Sequence, residues 1–318
     1  MQNHRKKLIF LGIIALGCIL LYAFYNIQGS FSYAFPRRLV HIGAIVITGV
    51  AIAYATVMFQ TVTHNRILTP SMIGVDSMYE VVQTVIYFFA GSASILVVNR
   101  YLNFGISLLF MILFALLLFR FLFRADKHPI FLLLLAGMIL GTLLGSMVDF
   151  LQVIIDPVEY ESLQVRLFAS FTNVKSELLY LSAGILIAAF IYGSIILKDL
   201  DVMSLGRANA INLGVNYDQR VLNVLILSSI LLATSTALVG PITFLGLIVA
   251  NLSYQFFQTY RHSILITGAA LFSIIALVGG QFLVQHVFAL QTTISVLINL
   301  IGGMYFIYLI LKESRATK

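Results

Sequence analysis

Apolar residues along the chain fall into ten runs, separated by short polar segments. Crossing a hydrocarbon core about 30 Å thick takes roughly 20 helical residues. The ten predicted spans cover residues 8–27, 39–60, 71–90, 101–123, 130–154, 177–197, 221–239, 242–257, 263–285 and 291–311. The prolines fall at predicted span boundaries or in loops, where the lost helical hydrogen bond costs least. The pattern therefore predicts an all-α polytopic membrane protein with about ten transmembrane helices, forming a single domain over residues 1–318.

Composition indicates that lipid is the solvent for most of the surface. Of the residues, 60% are hydrophobic and 10% are charged, and the mean hydropathy is +1.01. A soluble domain carries about 25% charged residues. The formal net charge is +7, but the basic residues are scattered between apolar runs. Nucleic-acid binding needs them clustered on one soluble face, so we expect no nucleic-acid partner.

Basic residues also predict the topology, because cytoplasmic loops of membrane proteins are enriched in lysine and arginine. With an even number of spans and the N-terminus inside, fourteen of the 19 basic residues face the cytoplasm. The five that face outward are Arg37, Arg38, Arg100, Arg166 and Lys175. Both termini are therefore predicted to be cytoplasmic.

Two connecting segments are longer and more polar than the others. The outer segment 156–175 is predicted to contain a short helix at the membrane interface. The inner segment 198–220 contains small residues and two Leu-Gly pairs. Its length exceeds what a simple helix connection needs, so we predict that it forms a short helix of its own.

Ionisable residues inside the predicted spans are few. Asp76 and Glu80 lie four residues apart on one face of the third span. Such groups are costly in lipid and usually functional, so they could line a translocation path, or they could fix the packing of neighbouring helices. The sequence has no zinc-protease or nucleophile-elbow motif and no metal-ligand spacing. An intramembrane enzyme or an ion-coupled carrier is therefore a weaker hypothesis.

Small and polar residues mark two further spans. Gly137, Gly141 and Gly145 recur every four residues on the fifth span, which favours close helix approach or, alternatively, a wide path. The eighth span is too short for a straight crossing, follows Gly240-Pro241 and contains Asn251. A broken helix of this kind is tolerated only where protein buries it, and transporters place such helices near their pathways.

Several local sequences resemble the FecCD-type permeases, which are the ABC importers of iron siderophores, haem and vitamin B12. They include 240–249 (GPITFLGLIV), Leu213-Gly214-Val215, Tyr260-Arg261-His262, Ile301-Gly302-Gly303 and, near the N-terminus, Phe35-Pro36-Arg37-Arg38. The chain departs from the family pattern at Ala250-Asn251, at Met304, and at Asp76, Met78 and Glu80. These departures resemble a divergent branch that serves catecholate siderophores.

The resemblance implies a type II ABC importer permease that moves ferric siderophore across the bacterial cytoplasmic membrane, with haem or cobalamin as the alternative solute. It implies as partners a second permease, two cytoplasmic ATPases and an extracytoplasmic solute-binding protein, for which a lipoprotein is one form. The departures suggest that the second permease is a related but different chain. No Walker A motif is present, so we expect no cofactor in this chain, with ATP and Mg held by the ATPases.

The resemblance also implies two docking sites. In the coupling segment 198–220, the residues expected to dock on an ATPase are Leu205, Gly206, Ala210, Leu213 and Gly214. The alternative is an ordinary polar loop. On the outer face, Arg37 and Arg38 are expected to pair with acidic residues of the binding protein, although Ala34 stands where the family has another arginine. Contact with lipid headgroups is the alternative for these arginines.

Overall fold

The structure is a computed structural model that describes residues 2–26, 31–122, 129–288 and 292–316. The predicted span ends at residues 27, 123 and 291 lie outside the described residues. So do the basic residues Arg124, Lys127 and Lys318, which contribute to the predicted cytoplasmic charge.

The described residues form thirteen α-helices and one 3-10 turn, and they contain no β-strand. The helices are α1 (Gln2–Phe24), α2 (Phe31–Thr63), α3 (Val75–Ala90), α4 (Ile95–Val98), α5 (Arg100–Leu122), α6 (Pro129–Ile154), α7 (Pro157–Leu167), α8 (Ser176–Met203), α9 (Arg207–Asn212), α10 (Tyr217–Val239), α11 (Leu245–Phe257), α12 (His262–His286) and α13 (Ile294–Ala316), and the 3-10 turn covers Pro70–Ile73.

Each predicted span corresponds to one of these helices. Eight of the helices in the described part are long and apolar enough to cross a membrane, namely α1, α2, α5, α6, α8, α10, α12 and α13. The other two, α3 and α11, have 16 and 13 residues. The third span starts later than predicted because Gly74 adopts a left-handed conformation, with φ of 86°, and separates α3 from the preceding 3-10 turn.

Two other boundaries also differ from the prediction. Helix α2 begins at Phe31, so Pro36 lies inside a helix and not in a loop. As the sixth residue of the helix, Pro36 cannot donate to the Ser32 carbonyl, so the first part of α2 lacks one helical hydrogen bond. Helix α8 continues to Met203, so the first residues of segment 198–220 extend a membrane helix.

The predicted interfacial helix in segment 156–175 is present as α7. Asp156 caps it by accepting a hydrogen bond from the Val158 amide at 2.9 Å, and Pro157 occupies the first helical position. Glu159 in the first turn and Arg166 in the last turn both complement the helix dipole.

Helix α2 is the centre of the bundle, and α6 lies at its edge. In the most apolar 18-residue stretch of α2, 78% of the residues are buried, whereas in that of α6 11% are buried. Glycines allow the neighbours of α2 to approach closely: a Cβ on Gly246 of α11 would lie 2.1 Å from Thr56 Oγ1. The exposed apolar face of α6 needs lipid or another protein to cover it.

Candidate functional site

The coupling segment folds into a short helix between two glycine turns. Gly206 precedes α9 with φ of 95°, and Gly214 follows it with φ of 87°. The second turn is closed by a hydrogen bond from the Val215 amide to the Ala210 carbonyl at 3.0 Å. Side chains other than glycine are strained at such φ values, so these two positions define where the chain reverses.

The predicted docking residues do not share one surface. Leu205 and Leu213 are 57% and 63% exposed, whereas Ala210 is fully buried. Ala210 therefore packs α9 onto the protein and presents no side chain to a partner. The sequence interpretation missed Ile211, which is 48% exposed beside them. Its signal was an apolar residue in an otherwise polar segment.

Ion pairs hold the coupling segment in place. Arg220 Nε lies 2.7 Å from Asp199 Oδ2, which joins the start of α10 to the end of α8. Arg207 lies 3.0 Å from Asp218, and both of these side chains are more than half exposed. An exposed pair of this kind contributes little, so the Asp199–Arg220 pair is the more significant of the two.

A hydrogen-bonded chain of three residues links the same segment to the core, and we call it the Asp201 bridge. Asp201 Oδ1 lies 2.6 Å from His262 Nδ1 and accepts from the His262 amide at 2.8 Å. On the other side of the ring, Nε2 lies 2.7 Å from Thr61 Oγ1. The bridge therefore connects the end of α8 with the start of α12 and the end of α2. The bridge was not predicted from the sequence, in which only His262 was noted.

A cavity of about 870 Å³ lies beside the bridge and is lined in part by Leu205, His64 and Arg66. Burial lowers the pKa of His64, whose Nε2 lies 3.1 Å from the Tyr217 hydroxyl. Asn251 Nδ2 donates to the Arg66 carbonyl at 2.9 Å, so Asn251 ties α11 to the loop after α2. Of the two roles predicted for Asn251, this position favours helix packing.

The two outer arginines have different positions. Arg37 is exposed and contacts Tyr33, with its Nη1 3.3 Å from the hydroxyl and its guanidinium over the ring. Arg38 is buried, and its guanidinium donates to the carbonyls at the end of α1, those of Tyr22, Ala23, Tyr25 and Asn26, at 2.7–3.2 Å. The structure therefore favours helix capping as the role of Arg38, and the docking role of both arginines stays a prediction.

The acidic pair on α3 is also divided. Asp76 is buried and accepts a hydrogen bond from Thr236 Oγ1 at 2.9 Å, while its Oδ2 has no hydrogen-bond partner in the described part of the chain. Glu80 is half-buried and makes no hydrogen bond or ion pair with the described residues. The carboxylates of Asp76 and Asp149 are the charges that act on it. Asp149 lies on α6 and is exposed. Glu80 thus borders the open edge of the bundle, whereas Asp76 belongs to its interior.

The glycine stripe on α6 serves packing at two of its three positions. A Cβ on Gly137 would lie 2.2 Å from Ile73 Cγ2, and a Cβ on Gly141 would lie 3.3 Å from the Gly74 Cα. A Cβ on Gly145 would have no described atom within 4 Å. Within the described residues, no group of three or more His, Cys, Asp or Glu side chains could hold a metal ion.

Known proteins similar to this chain are transport subunits. A profile of the FecCD transport family matches residues 7–312. The petrobactin import system permease protein YclO of Bacillus subtilis is 49% identical over 99% of this chain and 100% of its own length. FatC, a petrobactin import system permease protein of Bacillus anthracis, is 35% identical over 98% of this chain and 90% of its length.

The fold has a solved counterpart. A metal-chelate-type ABC transporter in an inward-facing conformation superposes with a TM-score of 0.84 and 25% sequence identity, covering 97% of this chain and 99% of that one. A second Bacillus anthracis petrobactin permease, FatD, is 27% identical over 77% of this chain and 72% of its own length. The resemblance to FatC is therefore stronger than the resemblance to FatD.

Proposed function

The chain belongs to the FecCD transport family, and we propose on this premise that it carries a ferric siderophore of the petrobactin type across the bacterial cytoplasmic membrane. It is a permease subunit of an ABC importer, not an enzyme. The observation that carries the choice of solute is the 49% identity, over the whole length of both chains, with a petrobactin permease.

The proposed assembly contains a second, different permease chain. Bacillus anthracis has two petrobactin import permeases, and this chain is 35% identical to FatC but 27% identical to FatD. A chain that resembles one member of such a pair more closely is expected to pair with a counterpart of the other. We assign the exposed face of α6 to this partner, because 11% of the residues in the most apolar 18-residue stretch of α6 are buried.

The remaining proposed partners are two cytoplasmic ATPases, which bind ATP and Mg, and an extracytoplasmic solute-binding protein. Both termini of this chain are assigned to the cytoplasm, since that orientation leaves most lysines and arginines inside. Arg37 is the proposed contact for the binding protein, because its exposed guanidinium can bind a carboxylate through two hydrogen bonds.

Coupling to ATP is assigned to α9 and its glycine turns. Leu205, Ile211 and Leu213 present an apolar patch that a cleft on an ATPase can cover. Movement of this patch reaches the membrane helices through α8 and the Asp201 bridge, since packed helices shift as units. Glu80 and Asp149 are proposed to face the central path between the two permeases.

Uptake by the reconstituted complete importer tests the proposal. Proteoliposomes containing both permeases and the ATPases, supplied with the binding protein, should accumulate ⁵⁵Fe-labelled petrobactin only when ATP is enclosed on the ATPase side. A panel with hydroxamate siderophores and haem controls for solute choice. Transport of another chelate but not of petrobactin would reject the solute and leave the family assignment intact.

A further inference from the structure

A cavity of about 260 Å³ opens between the ends of α5, α7 and α10, on the face that carries Arg37. Two arginines line it, Arg100 at the start of α5 and Arg166 in the last turn of α7. Among the described residues that line it, none is an aspartate or a glutamate. The cavity therefore contains two positive charges and no counter-charge from its own lining.

The guanidinium groups of these arginines have only neutral acceptors in the described part of the chain. Arg166 Nη2 donates to Asn103 Oδ1 at 2.8 Å, and Arg100 Nη1 donates to the Asn173 carbonyl. Of the acids in this region, Glu159 accepts from the amide and the hydroxyl of Ser92 at 2.5 and 3.1 Å, and Glu177 lines an adjoining cavity with Arg100 but forms no ion pair with it in the described part of the chain. Each arginine has five donor hydrogens, so several remain available on both side chains.

A buried polar network fixes one of the two arginines. Asn103 exchanges hydrogen bonds with Gln83 at 3.1 and 3.2 Å, and Gln83 in turn donates to Ser107 at 2.8 Å. Asn103 is 3% exposed, and Gln83 and Ser107 are fully buried. The acceptor that holds Arg166 therefore cannot turn freely. This supporting shell is the arrangement that preorganised binding sites require.

Anchoring of α7 would explain Arg166 but not the pair. A single hydrogen bond to Asn103 would fasten the helix, whereas a second arginine in the same cavity adds repulsion between like charges. An anion between the two would remove that repulsion and satisfy the free donors. Arginine binds planar and tetrahedral oxyanions through paired hydrogen bonds.

We propose that Arg100 and Arg166 form a binding site for one oxyanion group of the size of phosphate. The volume admits such a group but not a whole chelate of drug size or larger, for which pockets of about 300–1,000 Å³ are usual. The group can belong to a soluble anion or to the headgroup of an anionic lipid, because the cavity lies at an end of the membrane helices. Arg100 also lines an adjoining cavity together with Arg37, but the anion site does not depend on the proposed docking or coupling roles.

Calorimetric titration of the full-length protein tests the site in maltoside micelles, which contain no phosphate. Inorganic phosphate should bind with one-to-one stoichiometry and with an affinity that falls as NaCl is added. Arg100→Gln and Arg166→Gln should each weaken binding by at least about tenfold, since a charged hydrogen bond is lost. Lys175→Gln is the matched control, a basic residue of the same face that does not line this cavity, and its affinity should stay within about twofold.

A second arm distinguishes the two sources of the anion. Native mass spectrometry with added phosphatidylglycerol should show one retained lipid that Arg100→Gln loses, if the headgroup is the occupant. Retention of lipid without phosphate binding would assign the site to lipid, and phosphate binding alone would assign it to a soluble anion. Binding of neither, or binding of either that both arginine variants leave unchanged, would overturn the proposal. The Arg100 side chain makes no hydrogen bond with the described members of the buried network, so its variant stays informative if Arg166→Gln fails to fold.

Discussion

Removal of the Asp201 carboxylate should uncouple ATP hydrolysis from transport. Asp201→Ala deletes the acceptor for both the Nδ1–H and the backbone amide of His262, at 2.6 and 2.8 Å. His262 is 2% exposed, so water cannot easily replace these bonds. Only Thr61 then still holds the ring, and the end of α8 loses its direct connection with α12.

The magnitude follows from the two lost bonds. A hydrogen bond to a charged group contributes about 1.5–3 kcal/mol, but the Asp201 side chain is 33% exposed and its charge is partly screened. We therefore expect a loss of about 2–3 kcal/mol in the connection between α8 and α12. If half of that loss appears as coupling energy, iron uptake per ATP hydrolysed should fall about tenfold.

The assay measures ⁵⁵Fe uptake and ATP hydrolysis in the same proteoliposomes. Asp201→Ala should retain hydrolysis while uptake falls. Asp218→Ala is the matched control, an acid of the same segment whose partner Arg207 is exposed, and its ratio should equal that of the wild type. An unchanged ratio in Asp201→Ala, or an equal fall in both variants, would refute the reasoning.

Other substitutions test packing, capping and docking. Gly137→Ala should lower stability by about 1–3 kcal/mol in detergent unfolding, because its Cβ has no room, whereas Gly145→Ala should be neutral. Arg38→Ala should lower the unfolding temperature because the last carbonyls of α1 lose their donors. Arg37→Ala should leave the unfolding temperature unchanged but weaken the affinity for the binding protein, measured by surface plasmon resonance. Leu213→Asp should prevent co-purification of the ATPases without changing membrane insertion, and intact co-purification would remove Leu213 from the coupling surface.

Hydropathy and helix signals predicted most of the fold, because both are local properties of the chain. A helix at each of the ten predicted positions, the helix after Asp156 and the short helix before Leu213 all followed from them, although eight of the ten are long enough to cross a membrane. The late start of α3 was missed because a single left-handed glycine inside an apolar run leaves hydropathy unchanged.

The site was less predictable, because its contacts join residues far apart in sequence. Thr61 and His262 are separated by 201 positions, and neither stands out before the helices are assembled. Arg38 and Arg37 are adjacent and chemically identical, and only the end of α1 distinguishes the capping residue from the exposed one. Ala210 was grouped with exposed neighbours for the same reason, since burial depends on how α9 lies against the rest of the protein.

The cap that Arg38 places on α1 bears on how the protein is made and truncated. The first helix contributes little to the interior, since 22% of the residues in its most apolar 18-residue stretch are buried. It could therefore be taken for a dispensable anchor. Its removal would leave the buried guanidinium of Arg38 on α2 without its carbonyl acceptors. An unmatched buried charge costs several kcal/mol. The first two helices should therefore enter the bilayer as a hairpin, and truncated variants that begin after residue 26 should be recognised by the cell as misassembled and degraded.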